Sequence, residues 1–242
     1  MLAVFVNCAA VIAGSILGLL LKSRFTDKYS ESIQTAAGVV TVVMGIQMAF
    51  KYQNVVYLAL SLIMGGLLGT LWDIDGKILS LGGWLEKVVY RGKKTESSEE
   101  TSSSQNFAYA FLNASVLFCV GAMAIIGSFK AGVEKDYSII FTKSILDGFM
   151  AISFAAAMGV GTAFSALAIL VYQGILTLLS IFIQPYVTDE LLNELTGCGG
   201  CIIIMIGINL IGLKKIKTAN YLPALVLEIL FVILVPFVKG LF

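Results

Sequence analysis

The segment "FTDKYSESIQTAAGVVTVVMGIQMAF", residues 25–50, returns in altered form as "VTDELLNELTGCGGCIIIMIGINLIG", residues 187–212. The two align without a gap. Thr26 and Asp27 match Thr188 and Asp189, Gly38 matches Gly200, Gly45 matches Gly207, and Gln47 matches Asn209. Each copy ends in an apolar run, so the fold turns on whether those runs form a soluble core or cross a membrane.

Composition decides for the membrane. Of 242 residues, 58% are hydrophobic and 13% charged, and there is no histidine. Soluble domains carry about 25% charged residues, and apolar runs of about 18 or more read as spans. The pattern predicts an all-α, polytopic membrane protein with about eight transmembrane helices, at roughly 2–21, 35–50, 55–73, 106–128, 138–158, 162–183, 197–213 and 220–238. The first run is not a cleaved signal peptide, because its basic residues Lys22, Arg24 and Lys28 follow the run instead of preceding it. Residues 1–242 form one transmembrane domain. Within it, "DGKILSLGGWLEKVVY" places Ile78, Leu81, Trp84, Leu85 and Val88 on one helical face, predicting an interfacial helix over 76–90. The polar stretch that follows predicts a disordered cytoplasmic loop over 91–105.

Charge sets the orientation. Connections after spans one, three, five and seven hold eleven Lys and Arg residues, against four on the other side: Lys51, Lys130, Lys135 and Lys239. The richer side faces the cytoplasm, which puts both termini outside. Span two then corresponds to span seven, five spans later, and an odd offset inverts the second copy. The connectors agree: the first carries Lys22, Arg24 and Lys28, and "IQPYVTDELLNEL" carries no basic residue. The expectation is an inverted-topology repeat, approximately 1–75 and 162–242, with spans one to three related to spans six to eight.

Small residues at helix interfaces let backbones approach, which by itself accounts for Gly38, Gly45, Gly200 and Gly207. The amides add a functional reading. Both repeated spans read as short, about 16 and 17 residues, and short, glycine-containing segments at matching positions of two halves point to a transporter's central site. By helical rise, Gln47 and Asn209 are expected about 6–8 Å on either side of the midplane, flanking a cavity. The plainer alternative is that each amide bonds a neighbouring helix.

Ionisable residues inside spans carry more weight. Asp147 in "TKSILDGFMAISF" and Glu228 in "YLPALVLEILFVIL" fall near the bilayer centre, where a charge costs about 2.5–3.5 kcal/mol even on insertion scales. Lys143 lies one turn from Asp147, at ion-pairing distance on a helix. Asp147, Glu228 and Lys143 are therefore candidates, with Gln47 and Asn209, for substrate or ion binding. Gly159 and Gly161 mark a tight turn or a re-entrant tip. Tyr172 and Gln173 form a polar break in span six that lines the same cavity or finds local hydrogen bonds.

Other chemistry is sparse. Cys198 and Cys201 form a single C-x-x-C without histidines, so no metal site is expected and small apolar packing is the better reading. No cofactor signature and no catalytic constellation is present, and the chain is not expected to be an enzyme. No basic stripe with interleaved aromatics suggests nucleic acid. The expected partners are the lipid bilayer and a small-molecule or ion substrate, and a homo-oligomer is compatible with the pattern.

Several stretches carry a resemblance: "VNCAAVIAGSILGLLLK", "LSLIMGGLLGTLWDIDG", "VLFCVGAMAIIGS", "FTKSILDG" and "GVGTAFSA…YQG". They resemble the uncharacterised bacterial membrane family represented by YqgA and YdfK, domain of unknown function 554. The resemblance runs over nearly the whole chain outside 91–105 and implies a multi-pass protein of the bacterial inner membrane. Together these readings lead to a secondary transporter of a small polar or charged solute, proton- or cation-coupled, working by alternating access. The alternatives are a passive channel and a non-transporting membrane scaffold.

Overall fold

The computed structural model describes residues 1–22, 27–80, 100–183 and 187–239, and among them it is all-α with no strand. In chain order the helices are α1 (Leu2–Lys22), α2 (Asp27–Ala49), α3 (Val55–Leu71), α4 (Ile74–Ser80), α5 (Glu100–Cys119) and α6 (Ala122–Val133). There follow α7 (Ser138–Met158), α8 (Gly161–Leu178), α9 (Ser180–Ile183), α10 (Asp189–Ile211), a 3-10 turn at Thr218–Tyr221 and α11 (Pro223–Lys239).

Local chemistry sets several ends. The Asn54 side chain accepts the N–H groups of Val56 and Tyr57 at the start of α3, and Thr188 Oγ1 accepts the Leu191 N–H at the start of α10. Such caps satisfy donors the first helical turn leaves free. Gly212, at φ +82°, ends α10 in the left-handed conformation that glycine adopts without strain. Gly159, at φ +100°, ends α7, and α8 starts two residues later at Gly161. Residues 159–161 are thus a tight turn between two helices.

Burial is arranged for lipid. Large apolar side chains face outward along the helices, among them Leu17, Ile63, Phe149 and Val171, while Asn7, Ser15, Thr41, Ser61 and Thr162 are buried. Water would penalise so large an apolar surface; a bilayer is its solvent. Five helices (α1, α2, α7, α8 and α10) are long and apolar enough to cross a membrane singly. Two bent pairs raise the number to seven: α3 with α4, bent by 55°, and α5 from Phe107 with α6 from Met123, bent by 62°. The sequence reading was eight; the remaining apolar helix, α11, is shorter, at 17 residues.

Inter-helix contacts give relative directions. Gly14 and Gly18 of α1 lie against Gly148 and Ile152 of α7, so these two run parallel. Gly38 and Gly45 of α2 lie against Gly207 and Gly200 of α10, so that pair is antiparallel. So are α3 and α11, where Gly65 meets Ala224 and Tyr57 stacks on Phe231 at 5.9 Å. So too are α1 and α8, where Met1 lies by Gly174 and the Cys8 thiol donates to the Ala166 carbonyl.

Three sequence boundaries move. The repeated helices are not short: α2 and α10 each have 23 residues, and they start and end at aligned positions. The interruption lies instead in the fourth span, where 106–128 was expected to be continuous but the chain breaks at Val120–Gly121, with Gly121 at φ +122°. The sixth, read as 162–183, breaks at Leu179. Of the expected interfacial helix over 76–90, α4 covers the residues up to Ser80 and 81–90 lie outside the described residues. Of the loop at 91–105, residues 91–99 lie outside them too, and α5 is helical from Glu100.

Candidate functional site

Helix α7 brings Lys143 and Asp147 to one face, four residues apart, and their side chains form a short ion pair. Both are buried. Asn7 on α1 donates from Nδ2 to Asp147 Oδ2 at 3.1 Å and to Gln173 Oε1 on α8 at 3.2 Å. Three helices are thereby tied through polar groups at membrane depth. Asn7 Oδ1 and Gln173 Nε2 have no partner, although a buried polar atom normally has one.

The ion pair opens onto a cavity of about 220 Å³. Its polar lining is Gln47, Lys51, Lys143, Asp147 and Thr196, and the break at Val120–Gly121 forms part of its wall. Irregular backbone at membrane depth persists where protein or a water-filled cavity satisfies it. Two amines and one carboxyl group give the lining a net positive charge.

The candidate residues separate into four places. Gln47, Lys143 and Asp147 share the cavity, and Gln173 joins them through Asn7. Asn209 is elsewhere: its Nδ2 donates to the Ile216 carbonyl at 2.8 Å and its Oδ1 accepts the Ile216 N–H at 2.7 Å. It pins the turn after α10 instead of flanking the cavity. Glu228 sits apart from Asp147. It is fully buried between α3, α10 and α11, with its carboxyl group beside the Ser61 hydroxyl and the Glu194 carboxyl group. Tyr172 is half-buried and does not line the cavity.

The glycines fall into two roles. Gly38, Gly45, Gly200 and Gly207 form the seam between α2 and α10, where a Cβ on Gly45 would lie 2.9 Å from the Gly200 carbonyl oxygen and 2.7 Å from the Ile204 nitrogen. Gly159 and Gly161 shape the turn between α7 and α8, and a Cβ on Gly161 would strike the Phe107 carbonyl. Cys198 and Cys201 carry free thiols. Among the described residues no group of three or more His, Cys, Asp or Glu is placed to hold a metal ion.

Sequence reasoning missed Asn7, Lys51, Ser61, Glu194 and Thr196. The signal for Glu194 was Thr188, an N-cap residue that starts α10 at Asp189 and so places Glu194 inside the helix. Asn7 stands alone among apolar neighbours in the first span, which marked it as an intramembrane polar group.

Residues 2–233 match a family model described as "Protein of unknown function (DUF554)". The chain is 31% identical over 233 residues, 94% of each chain, to the "Uncharacterized membrane protein YdfK" of Bacillus subtilis (strain 168). It is 27% identical over 223 residues, 92% of each, to the "Uncharacterized protein YqgA" of Escherichia coli (strain K12). No solved structure matches. A match over almost the whole chain, the membrane-protein relative and the outward-facing apolar helices lead to one conclusion: the chain belongs to the DUF554 family and is a helical, membrane-embedded member of it.

Proposed function

We propose that the protein is a secondary transporter of a small polar or charged solute, working by alternating access between two inverted repeats. The observation that carries this reading is the broken fourth span, which opens at Gly121 onto a cavity holding a buried Lys143–Asp147 pair. Discontinuous helices beside a central polar cavity are the recurring device of secondary transporters.

The α2·α10 seam supports the repeat. Gly38 meets Gly207, the counterpart of Gly45, while Gly45 meets Gly200, the counterpart of Gly38. Ile211, the counterpart of Ala49, meets Gly38, and Ala49 meets Gly200. Each contact has its exchanged twin, as a pseudo-two-fold axis between the helices requires. The polar groups follow the same exchange. Gln47 and Thr196 line the cavity at one end of the seam; their counterparts, Asn209 and Gln34, lie at the other. There Gln34 Nε2 donates to the Leu210 carbonyl at 3.1 Å, and Asn209 holds Ile216. We read the cavity end as open and the end where Gln34 and Asn209 are engaged in hydrogen bonds as closed, the asymmetry alternating access exploits.

Positive charge clusters at the closed end, at Lys214, Lys215 and Lys217, so the open end faces outward in the inner membrane. Cysteines introduced at exposed Lys51 and Leu213, in a background without native cysteines, are expected to react with an impermeant thiol reagent from opposite sides. Labelling of both from one side would exclude the crossing order.

The transport test uses the purified protein in vesicles. One class of a panel of small anions, cations and zwitterions is expected to be accumulated against its own gradient when a proton or sodium gradient is imposed. At about a hundred times its Kd that solute should stabilise the protein by about 2.7 kcal/mol. Flux that only equilibrates the solute would indicate a channel. Absence of flux and of stabilisation across the panel, with folded protein, would leave the scaffold reading.

A further inference from the structure

The Glu194–Glu228 pair plays no part in the cavity. Glu194 extends from α10 and Glu228 from α11, and both are fully buried. Glu194 Oε1 is occupied: it accepts the backbone N–H groups of Gln53 at 3.2 Å and Asn54 at 2.6 Å, at the start of α3. Glu194 Oε2, both Glu228 oxygens and the Ser61 hydroxyl have no hydrogen-bond partner. Ser61, on α3, is itself fully buried and faces Glu228. The other titratable neighbours are Cys198 and Cys201 on α10. Among the described residues no Lys or Arg forms an ion pair with either glutamate.

Two carboxyl groups at one buried site do not both ionise, and a lone buried carboxylate is expensive unless paired. The occupant must be positive. A hard metal ion such as calcium takes about six to eight oxygens; the free oxygens here are Glu194 Oε2, the two of Glu228 and Ser61 Oγ. A proton needs no more than these.

We propose that Glu194 and Glu228 bind one proton between them, carried on Glu228 and donated to Glu194 Oε2. Two backbone N–H groups already occupy Glu194 Oε1, which leaves Oε2 as the acceptor for that proton. The Ser61 hydroxyl then donates to the remaining Glu228 oxygen. One proton thus gives partners to all the orphaned atoms of the cluster. It also joins α11 to α10 and to the residues that start α3, so its release leaves two adjacent charges and favours separation of α11 from α10. The proton site stands on this geometry alone; its use as the coupling ion rests on the transport reading above.

Infrared difference spectroscopy of the protein in lipid tests the site directly. At neutral pH the wild type is expected to show the C=O band of a protonated carboxylic acid. That band should lose one carboxyl group per chain in Glu228→Gln and be unchanged in Asp147→Asn. Ser61→Ala, a milder change at a packed position, should move the band without removing it, which keeps the test open if Glu228→Gln fails to fold. Wild type and Glu228→Gln with the same absorption in this region, or a Ser61→Ala band that does not move, would overturn the proposal. A band that behaves as expected in a protein showing no gradient-driven accumulation would leave the proton site standing and remove the transport reading. Proton-driven accumulation without the band would place the coupling proton elsewhere and overturn the proposal.

Discussion

Lys143→Met alone is expected to destabilise the purified protein by about 3–5 kcal/mol, because it strands the carboxylate of Asp147 in a buried site. Asp147→Asn should be destabilising too, since it strands the Lys143 ammonium. This differs from the effect expected of an isolated intramembrane acid, where removing the charge lifts a desolvation penalty. The double replacement Lys143→Met/Asp147→Asn removes both charges and keeps an amide oxygen for Asn7 to donate to, so most of the loss should be recovered. Replacing a buried ion pair by neutral groups of similar volume is often neutral or better for stability. Thermal unfolding in detergent, followed by tryptophan fluorescence, would give the order: wild type and double variant close together, each single variant well below. Single variants as stable as the wild type would mean that the pair is solvated and that the three-helix polar network is not under constraint. The double variant also separates structure from activity. It should be folded and inserted, yet without gradient-driven accumulation if the pair contacts solute.

The sequence contained the α2/α10 correspondence almost in full. Glycines at matched spacing, an aligned N-terminal Thr-Asp and opposite connector charge led to two antiparallel helices, and the two helices start and end in register. Apolar runs are legible because bilayer thickness imposes a minimum length on them. The break at Gly121 was not legible. A glycine in an apolar run reads equally as a close helix contact or as a point of positive φ, and only the fold distinguishes the two. The site was legible residue by residue but not as an arrangement. Asp147 and Lys143 share a helix, so their spacing forecast their pairing. Glu228 and Glu194 lie on different helices, and no local spacing brings them together. Asn209 illustrates a further limit. Its amide serves a backbone group seven residues onward, in a loop whose path no periodicity defines, although its aligned partner Gln47 faces the cavity.

Valine at Gly45 or Gly200 is expected to abolish the folded state, and the two sites should behave alike. A Cβ on Gly200 would run into the Ala49 backbone nitrogen and lie 2.7 Å from the Gly45 carbonyl oxygen. On Gly45 it would lie 2.7 Å from the Ile204 nitrogen. Backbone atoms cannot rotate away as side chains do, so the helices must separate along the whole seam. Overpacking a core costs about 1–3 kcal/mol where side chains give way, and more is expected where only a helix shift can relieve it. Gly212→Ala offers a contrast, because nothing lies within 4 Å of the added carbon. Its penalty is conformational, from the left-handed φ of +82°, and should be about 1–2 kcal/mol. Monodisperse yield from membranes, with unfolding midpoints for whatever survives, would measure all three. The exchange symmetry makes a further demand. Gly45→Ala and Gly207→Ala stand at positions the exchange relates and place their methyl groups against the counterpart helix in equivalent settings, each 2.9 Å from the facing glycine oxygen. Their destabilisations should therefore agree within the usual scatter of about 0.5 kcal/mol. A large inequality between them would mean that the seam is a chance packing of two glycine-bearing helices, and would remove the symmetry on which alternating access between the repeats depends.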